Sequence, residues 1–317
     1  MPLPTASDVH VDALLTDVSV AYIQDQTNFV AGTVFPRVPV AKQSDKYATY
    51  TKDDWFRDEA EVRGDTSESA GSGFNLGSTT YFADVYAFHK DVGDHVRANA
   101  DPAINPDSEA TEFVTQRLML RQEIQWATEF FTTSVWGTDK TPTNLWSSYT
   151  TSDPIDDIET GKTTILQNTG FEANTLVLGY LVWAKLKNHP DLVDRYKYTS
   201  SDSVTVEMAA ALFEIDRVIV AKAIKNTGKE GAASPTMAFT HGKHALLAHI
   251  APSPGLLTPS AGYTFSWTGI SAGLGTDVAI SSFRMDHLKA DRIEGEVAFD
   301  FKVVGSDLGY FFNTAVA

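Results

Sequence analysis

The pattern of hydrophobic and polar positions predicts one long helix over residues 106–136. Apolar side chains recur on one face of this segment at spacings near the 3.6 residues of a helical turn. Asn105 is a favourable N-cap, Pro106 suits the first helical position, and Gly137 is a typical helix stop. About 30 residues at a rise of about 1.5 Å each predict a rod about 45 Å long.

Before this helix, two strand-like segments predict an extended two-stranded loop. Residues 46–52 are rich in Tyr and Thr, which suits a strand, and residues 79–91 are the expected partner. Between them lie an acidic run at 53–65 and a tongue rich in glycine and serine at 64–78. Loops longer than about 12–15 residues without structure of their own are uncommon inside compact domains and are usually functional or disordered. Because an isolated two-stranded ribbon is marginally stable, we expect another surface to support it.

The first 45 residues contain no pattern that could form a core of their own. An apolar stripe at helical spacing runs through residues 12–23, and Pro36 and Pro39 then favour extended backbone. The apolar side chains near these prolines need burial. They predict an N-terminal arm that lies either on the main body of the protein or on a neighbouring subunit.

The rest of the chain mixes helical and strand patterns without the regular alternation of a doubly wound parallel sheet. Helices are predicted at residues 154–167, 180–187 and 206–213. Strands are predicted at residues 175–179, 217–221, 236–240, 262–267, 278–283, 292–304 and 309–312. The pattern indicates an α+β fold without a repeat of solenoid period.

Composition narrows the class of protein. The chain of 317 residues is long enough for about two domains, and its 43% hydrophobic and 21% charged residues are typical of a globular protein. No window approaches the roughly 18 apolar residues of a membrane span. The first residues lack the basic and apolar regions of a signal peptide. The absence of cysteine excludes disulfides, thiolate metal sites and cysteine nucleophiles, and we expect the chain to fold in a cytosol.

The net charge of −16 argues against a nucleic-acid-binding protein, because such proteins need clusters of Lys and Arg. In the run 53–65, six acidic side chains face two arginines. Two interpretations stay open for this run. It is either a solvated loop face or a surface that meets a basic patch on an adjacent copy of the chain.

Three patterns that could carry chemistry have better structural explanations. Residues 161–164 (GKTT) resemble the end of a phosphate-binding loop, but they lack its earlier glycine and fall inside a predicted helix. His241, His244 and His249 do not converge on one face of a strand, and we interpret them as polar or edge-strand histidines. The glycine-rich residues 269–275 have the wrong order for a dinucleotide fingerprint and predict a turn. We therefore expect no catalytic residues, no cofactor and no metal.

Taken in order, these parts resemble the major capsid proteins of tailed bacteriophages over nearly the whole chain. The resemblance rests on the shared order of several phrases. They are YIQDQTNFVAGTVFPRVPVAKQSDKY at 22–47, WFRDEAEVRG at 55–64, DPAINPDSEATEFV at 101–114, GFEANTLVLGYLVWAKLKNHPDLVDRYKYT at 170–199, PSPGLLTPSAGYTFSW at 252–267 and DRIEGEVAFDFKVVGSDLGYFF at 291–312.

The resemblance implies an α+β capsid fold of the Hong Kong phage type, with an L-shaped subunit. The implied parts are an N-terminal arm at 1–46, an extended β-loop at 47–85, a peripheral domain at 86–169 and 286–304 that holds the spine helix 106–136, and an axial domain at 170–285 and 305–317.

The implied function is structural and not enzymatic. Such a coat protein self-assembles as hexamers and pentamers into the icosahedral shell around the double-stranded DNA of a tailed phage. The expected partners are many copies of the chain, scaffolding, portal and decoration proteins, and DNA bound without sequence specificity, with no membrane. The expected location is the virion, after assembly in the host bacterial cytoplasm. The alternative is an encapsulin-like nanocompartment, which shares the fold.

In this interpretation, exposed side chains of the arm and the extended loop contact neighbouring subunits. The predicted contact residues are Phe29, Val34, Phe35, Val38, Trp55, Phe56, Arg57, Asp58, Glu59 and Arg63.

Overall fold

The structure is a computed structural model of the chain, and it describes residues 24–50, 52–100, 105–196, 204–255, 257–270 and 278–317. The predicted stripe at 12–23 lies outside these residues. The chain divides into two compact units. The first comprises Met1–Gln26, Tyr86–Met119 and Ser271–Val297, and the second comprises Thr27–Val85, Leu120–Ile270 and Ala298–Ala317. The four-part division into arm, loop, peripheral and axial domains stays a prediction.

The helices of the described residues are α1 (Ala31–Val34), α2 (Lys52–Trp55), α3 (Asp94–Ala98), α4 (Pro106–Phe130), α5 (Pro154–Thr169), α6 (Tyr180–Leu186), α7 (Pro190–Tyr196) and α8 (Val206–Phe213). Four of the helices, α4, α5, α6 and α8, begin where the sequence predicts them, and the short helices α1, α2, α3 and α7 were not predicted. Local chemistry explains α5, because the Asp153 side chain accepts hydrogen bonds from the backbone N–H groups of Ile155 and Asp156. Gly170 then ends α5 in the left-handed conformation, with φ of 74°.

The strands confirm the mixed α+β pattern. They are β1 (Arg37–Val40), β2 (Ser44–Tyr50), β3 (Leu76–Phe82), β4 (Asp84–Gly93), β5 (Thr138–Lys140), β6 (Thr175–Gly179), β7 (Arg217–Ala221), β8 (Ile224–Asn226), β9 (Met237–Phe239), β10 (Ala245–Ala248), β11 (Gly262–Trp267), β12 (Ala279–Met285), β13 (Ala290–Val303) and β14 (Gly309–Phe312).

The predicted end of the long helix is wrong. The helix α4 starts at Pro106 with Asn105 as its cap, but it ends at Phe130 and not at Trp136. The chain turns back because Ser134 adopts a φ of 66° and the Trp136 indole N–H donates to the Phe130 carbonyl at 2.8 Å. A side-chain contact between residues six positions apart therefore caps the helix in place of Gly137. Its 25 residues form a rod about 37 Å long.

In the first unit, strand β12 pairs antiparallel with the first part of β13. Gly295 of β13 lies against helix α4, and a Cβ at this position would stand 2.6 Å from Val114 and 2.9 Å from Leu118. The glycine therefore allows close approach of strand and helix. Arg97 also joins this strand to the helix, since it donates to Asp107 at 2.7 Å and to Asp291 at 2.6 Å.

The core of the second unit is a five-stranded sheet in the order β5-β14-β10-β6-β7. Every residue of β6, β10 and β14 is buried, so these strands are short apolar runs without alternation. Helix α5 packs closely on the sheet, because a Cβ on Gly161 would lie 3.0 Å from the Leu247 side chain. The GKTT residues are thus part of a packed helix, as the sequence predicts.

A second set of strands in this unit places the N-terminal segment. Strand β1 pairs parallel with β11, and β11 pairs antiparallel with the last part of β13. Strand β1 is at the edge of the set, which suits Pro39 because proline lacks the N–H that a second neighbour would require. No helix in the described part of the chain combines the length and the apolar character needed to cross a membrane.

Candidate subunit interface

The predicted extended loop is confirmed as a two-stranded ribbon, but the strand predicted at 79–91 is broken at Ala83 into β3 and β4, and only β3 pairs with β2. Strands β2 and β3 pair antiparallel from Ser44 opposite Phe82 to Tyr50 opposite Leu76. Neither helix nor strand occurs from residue 56 to residue 75, and every side chain from 55 to 80 is exposed. The second unit therefore presents a long polar tongue to solvent.

The base of the ribbon is supported by the body of its own unit. The ring of Tyr81 stacks on Phe265 with centroids 4.5 Å apart, and the ring of Tyr47 stacks on Phe265 at 5.3 Å. Burial raises the pKa of both tyrosines. These contacts supply the support that an isolated ribbon lacks.

At the outer end of the ribbon, three exposed rings form what we call the aromatic cluster: Tyr50, Trp55 and Phe74. Their ring centroids lie 5.6 to 6.2 Å apart. Side-chain exposure is 40% for Tyr50, 55% for Trp55 and 60% for Phe74. The Asp54 carboxylate holds together the two ends of the loop between β2 and β3, because it accepts from the Asn75 backbone N–H at 2.8 Å and from its amide at 3.1 Å.

Two contacts attach the loop between β2 and β3 to the body of the second unit. The Lys52 ammonium forms an ion pair with the Asp307 carboxylate. The Phe56 ring lies near Gly170, where a Cβ would stand 3.5 Å from the ring. Phe56 is nevertheless 64% exposed. The aromatic cluster and Phe56 together form an apolar surface of the kind that marks interaction sites.

The predicted contact residues of the arm differ in burial: three are buried and one, Val38, is half-buried. Phe29, Val34 and Phe35 are buried inside their own chain, so the expectation that a neighbour is needed to cover them is wrong. Phe35 packs edge-to-face on Trp126 and Phe130, at centroid distances of 5.7 and 5.4 Å. Helix α4 therefore covers this part of the arm, which is the other alternative that the sequence left open.

The loop residues predicted as contacts are all on the surface. The exposed ones are Trp55, Phe56, Arg57, Asp58, Glu59 and Arg63. The arm residue Val38 is half-buried against the tyrosines at the ribbon base. The Arg57 guanidinium lies 3.8 Å from Glu59, and Arg63 donates to the Ser67 carbonyl at 2.7 Å. Their contact with other copies stays a prediction.

Sequence reasoning missed Tyr50, Phe74 and the 62% exposed Leu76 as part of this surface. Tyr50 lies at the end of a segment that the pattern explains as a strand, and Phe74 is an isolated apolar residue in a polar tongue. One signal in the sequence could have indicated that Tyr50 and Phe74 lie together: they are at the two ends of the same loop.

The patterns dismissed as chemical sites have structural roles in the second unit. The Lys162 ammonium donates to the Phe213 carbonyl at 2.9 Å and to Glu159 at 3.0 Å, so it joins two helices. The edge-strand interpretation of the histidines is wrong, because β10 lies inside its sheet and His241, in the turn before it, is 2% exposed. Residues 271–275 of the predicted glycine-rich turn are not described. Over the ranges that the structure covers, no group of three or more His, Asp or Glu side chains is arranged to hold a metal ion.

The chain was compared with known proteins. No family model matches it. It is 24% identical over 315 residues to the major capsid protein of Burkholderia phage BcepMu, with 96% of each chain covered. It is 28% identical over 313 residues to the major capsid protein of Pseudomonas phage JBD67, with 97% of each chain covered.

Solved structures show the same fold. A phage-related protein from Bordetella bronchiseptica RB50 matches with a TM-score of 0.69 at 23% identity, covering 92% of this chain and 94% of that one. The capsid structure of cyanophage P-SCSP1u matches with a TM-score of 0.63 at 10% identity, covering 98% and 94%. The SrpI encapsulin of Synechococcus elongatus PCC 7942 matches with a TM-score of 0.58 at 9% identity, covering 99% and 96%. The chain is thus similar to phage major capsid proteins over nearly its whole length and has the α+β fold of phage capsid subunits.

Proposed function

We propose that the protein is the major capsid protein of a tailed phage and forms, as hexamers and pentamers, the icosahedral shell around its double-stranded DNA. The observation that carries this proposal is the match to two phage capsid proteins over 96% and 97% of the chain. The match includes the arm and ribbon segments as well as the core. The curated relatives are structural proteins, and we propose that this chain likewise catalyses no reaction.

The exposed ribbon supports a mechanism of assembly by many small contacts. In this mechanism, the aromatic cluster and Phe56 are covered by an adjacent copy of the chain. A large aromatic side chain buries about 150–250 Å², and burial stabilises by about 25 cal/mol per Å². Half-exposed rings therefore gain about 2 kcal/mol each when covered. Because every copy makes such contacts with several neighbours, modest contacts add up to a stable shell.

The charge of the chain supports a container and not a DNA-binding protein. A net charge of −16 repels phosphate, so packaged DNA would be enclosed without sequence-specific contacts. In the same proposal, the arm, extended loop, peripheral and axial parts have the limits predicted from the sequence. Scaffolding, portal and decoration proteins are the proposed partners during assembly in the host bacterial cytoplasm.

An encapsulin-like nanocompartment is the second candidate function, because the fold is also similar to that of the SrpI encapsulin. The two functions differ in what the particle holds. A phage shell contains DNA and has a portal at one vertex, whereas a nanocompartment is closed and holds cargo protein.

Electron microscopy of particles purified from cells that make the full chain tests the proposal. We expect closed icosahedral shells or isolated hexamers and pentamers, and nuclease-resistant DNA in particles from a phage-producing strain. A chain that stays monomeric at high concentration would contradict a shell function. Closed particles with a co-purifying enzyme and no DNA would favour the nanocompartment.

A further inference from the structure

Helix α4 carries a buried carboxyl group that the proposed shell function does not use. Glu123 is 0% exposed. Its Oε2 accepts the backbone N–H of Val30 at 2.9 Å and that of Ala31 at 2.8 Å. These donors belong to residues 27–35, which we call the arm segment. One carboxyl oxygen thus holds the start of helix α1 against α4, within the second unit.

The other oxygen of Glu123 faces an imidazole in an apolar environment. Oε1 lies 3.5 Å from Nδ1 of His241 and has no hydrogen-bond partner among the described residues. The rings of Trp126 and Phe131 lie 5.4 and 5.1 Å from the His241 ring. A carboxylate is costly to bury with one oxygen unpaired, and protonation removes that cost.

The ionisable groups around this carboxyl do not neutralise its charge. Burial, together with the charge of Lys225 on β8, lowers the pKa of His241 to about 3, so this histidine is neutral. Burial also lowers the pKa of His244, which precedes β10. The arm segment itself contains no ionisable side chain. Arg217 of β7 contacts its backbone, because the guanidinium donates to the Thr33 and Val34 carbonyls at 3.4 and 3.5 Å.

We propose that Glu123 is a proton-operated latch for the arm segment, which docks tightly on helix α4 while the carboxyl is protonated and loosely once it is ionised. Phe29, Val30 and Ala31 cover the site and are themselves buried, so detachment of this segment exposes Glu123 to water. The latch is a property of the single chain and does not depend on the proposed shell function.

The direction of the pH effect follows from the carboxyl pKa in the two states. Burial raises the pKa of Glu123 from 4.5 to about 7, against the opposite but smaller effect of the two N–H donors. The docked state therefore binds a proton that the detached state releases. Docking is strongest below the ordinary carboxyl pKa and weakens as the pH rises through the docked pKa.

Hydrogen exchange of the full chain tests the latch through the amides of Val30, Ala31 and Val34. After correction for intrinsic exchange rates, we expect their protection to fall roughly 50-fold from about pH 5 to about pH 7.5. Glu123→Gln keeps a carbonyl oxygen for the two N–H groups but cannot ionise, so its protection should change less than about threefold. Glu112→Gln, an exposed position on the same helix, should keep the wild-type pH profile.

Exchange of the β10 amides reports whether the rest of the second unit stays folded. Light scattering measures the assembly state at each pH. The latch is supported when protection is lost in the arm segment and kept in β10. It is overturned if both lose protection together, or if Glu123→Gln retains the wild-type pH dependence. Should that variant fail to fold, wild-type protection that does not change with pH overturns the proposal by itself.

Discussion

Two phenylalanines, Phe35 and Phe56, have opposite environments within the second unit. Phe35 is 1% exposed and fills a space that Gly262 leaves open, where a Cβ would stand 2.6 Å from the ring. Phe56 is 64% exposed. The same residue type therefore stabilises the fold at one position and leaves apolar surface at the other.

We expect Phe35→Ala to lower the free energy of unfolding by about 3–5 kcal/mol, because it removes a buried ring and leaves a cavity. Phe56→Ala is the matched control and should change this free energy by less than about 1 kcal/mol. Urea unfolding of the dissociated subunit measures both. Equal effects of the two substitutions would contradict the environments described for these rings.

At the scale of elements, helix α4 and the ribbon illustrate two ways in which a side-chain hydrogen bond ends a regular element. The helix stops where the Trp136 indole reaches back to the Phe130 carbonyl. The ribbon stops where Asp54 and Asn75 close the strands below the aromatic cluster.

Trp136→Phe tests the cap of α4. The substitution keeps an aromatic ring but removes the indole N–H, so the Phe130 carbonyl loses its donor. We expect a loss of stability of about 1–3 kcal/mol, since the ring is buried and the carbonyl is left unpaired. Hydrogen exchange should show faster fraying of the last turn of α4, and unchanged exchange there would contradict the cap.

The paired substitution of Trp55→Ser and Phe74→Ser tests the aromatic cluster. Both rings are more than half exposed, so the subunit should fold with nearly unchanged stability, while the concentration needed for assembly rises about tenfold or more. Sedimentation velocity measures this shift. Met237→Ser, at a 59% exposed position on β9, is the control and should leave assembly unchanged. If the wild type, the double variant and the control assemble at the same concentration, the aromatic cluster is not part of the interface.

At the scale of the whole molecule, net charge opposes the association of copies. Each chain carries a net charge of −16. Like-charged copies repel each other. At a salt concentration of about 0.1 M, this repulsion is largely screened at separations beyond about 10 Å.

We expect the critical concentration for assembly to fall several-fold between about 50 mM and about 300 mM sodium chloride, because screening weakens the repulsion. Light scattering at a series of protein concentrations measures it. Asp58→Asn with Glu59→Gln separates the two interpretations of the acidic run. Assembly becomes easier if the run is a solvated face, and harder if it meets a basic patch on another copy.

Much of the fold could be predicted because its causes are local. Residues a few positions apart decide the cap at Asn105, the start of α5 at Pro154, the strand β11 and the helix α8. Hydrophobic periodicity and capping residues therefore predict them. The order of these elements along the chain was enough to indicate the resemblance to capsid proteins. The exposed loop residues were predictable for the same reason, since a long polar tongue has few partners in its own chain.

What the sequence by itself determined is four helices and most of the longer strands, their order and the polar tongue between β2 and β3. Only the tertiary structure decided that Phe35 is core, that α4 ends at Phe130, and that Glu123 holds the arm segment. The hydrogen bond from Val30 to Glu123 spans 93 positions along the chain. Contacts of this range leave no periodic signal, because burial depends on which distant surfaces meet and not on the spacing of neighbours.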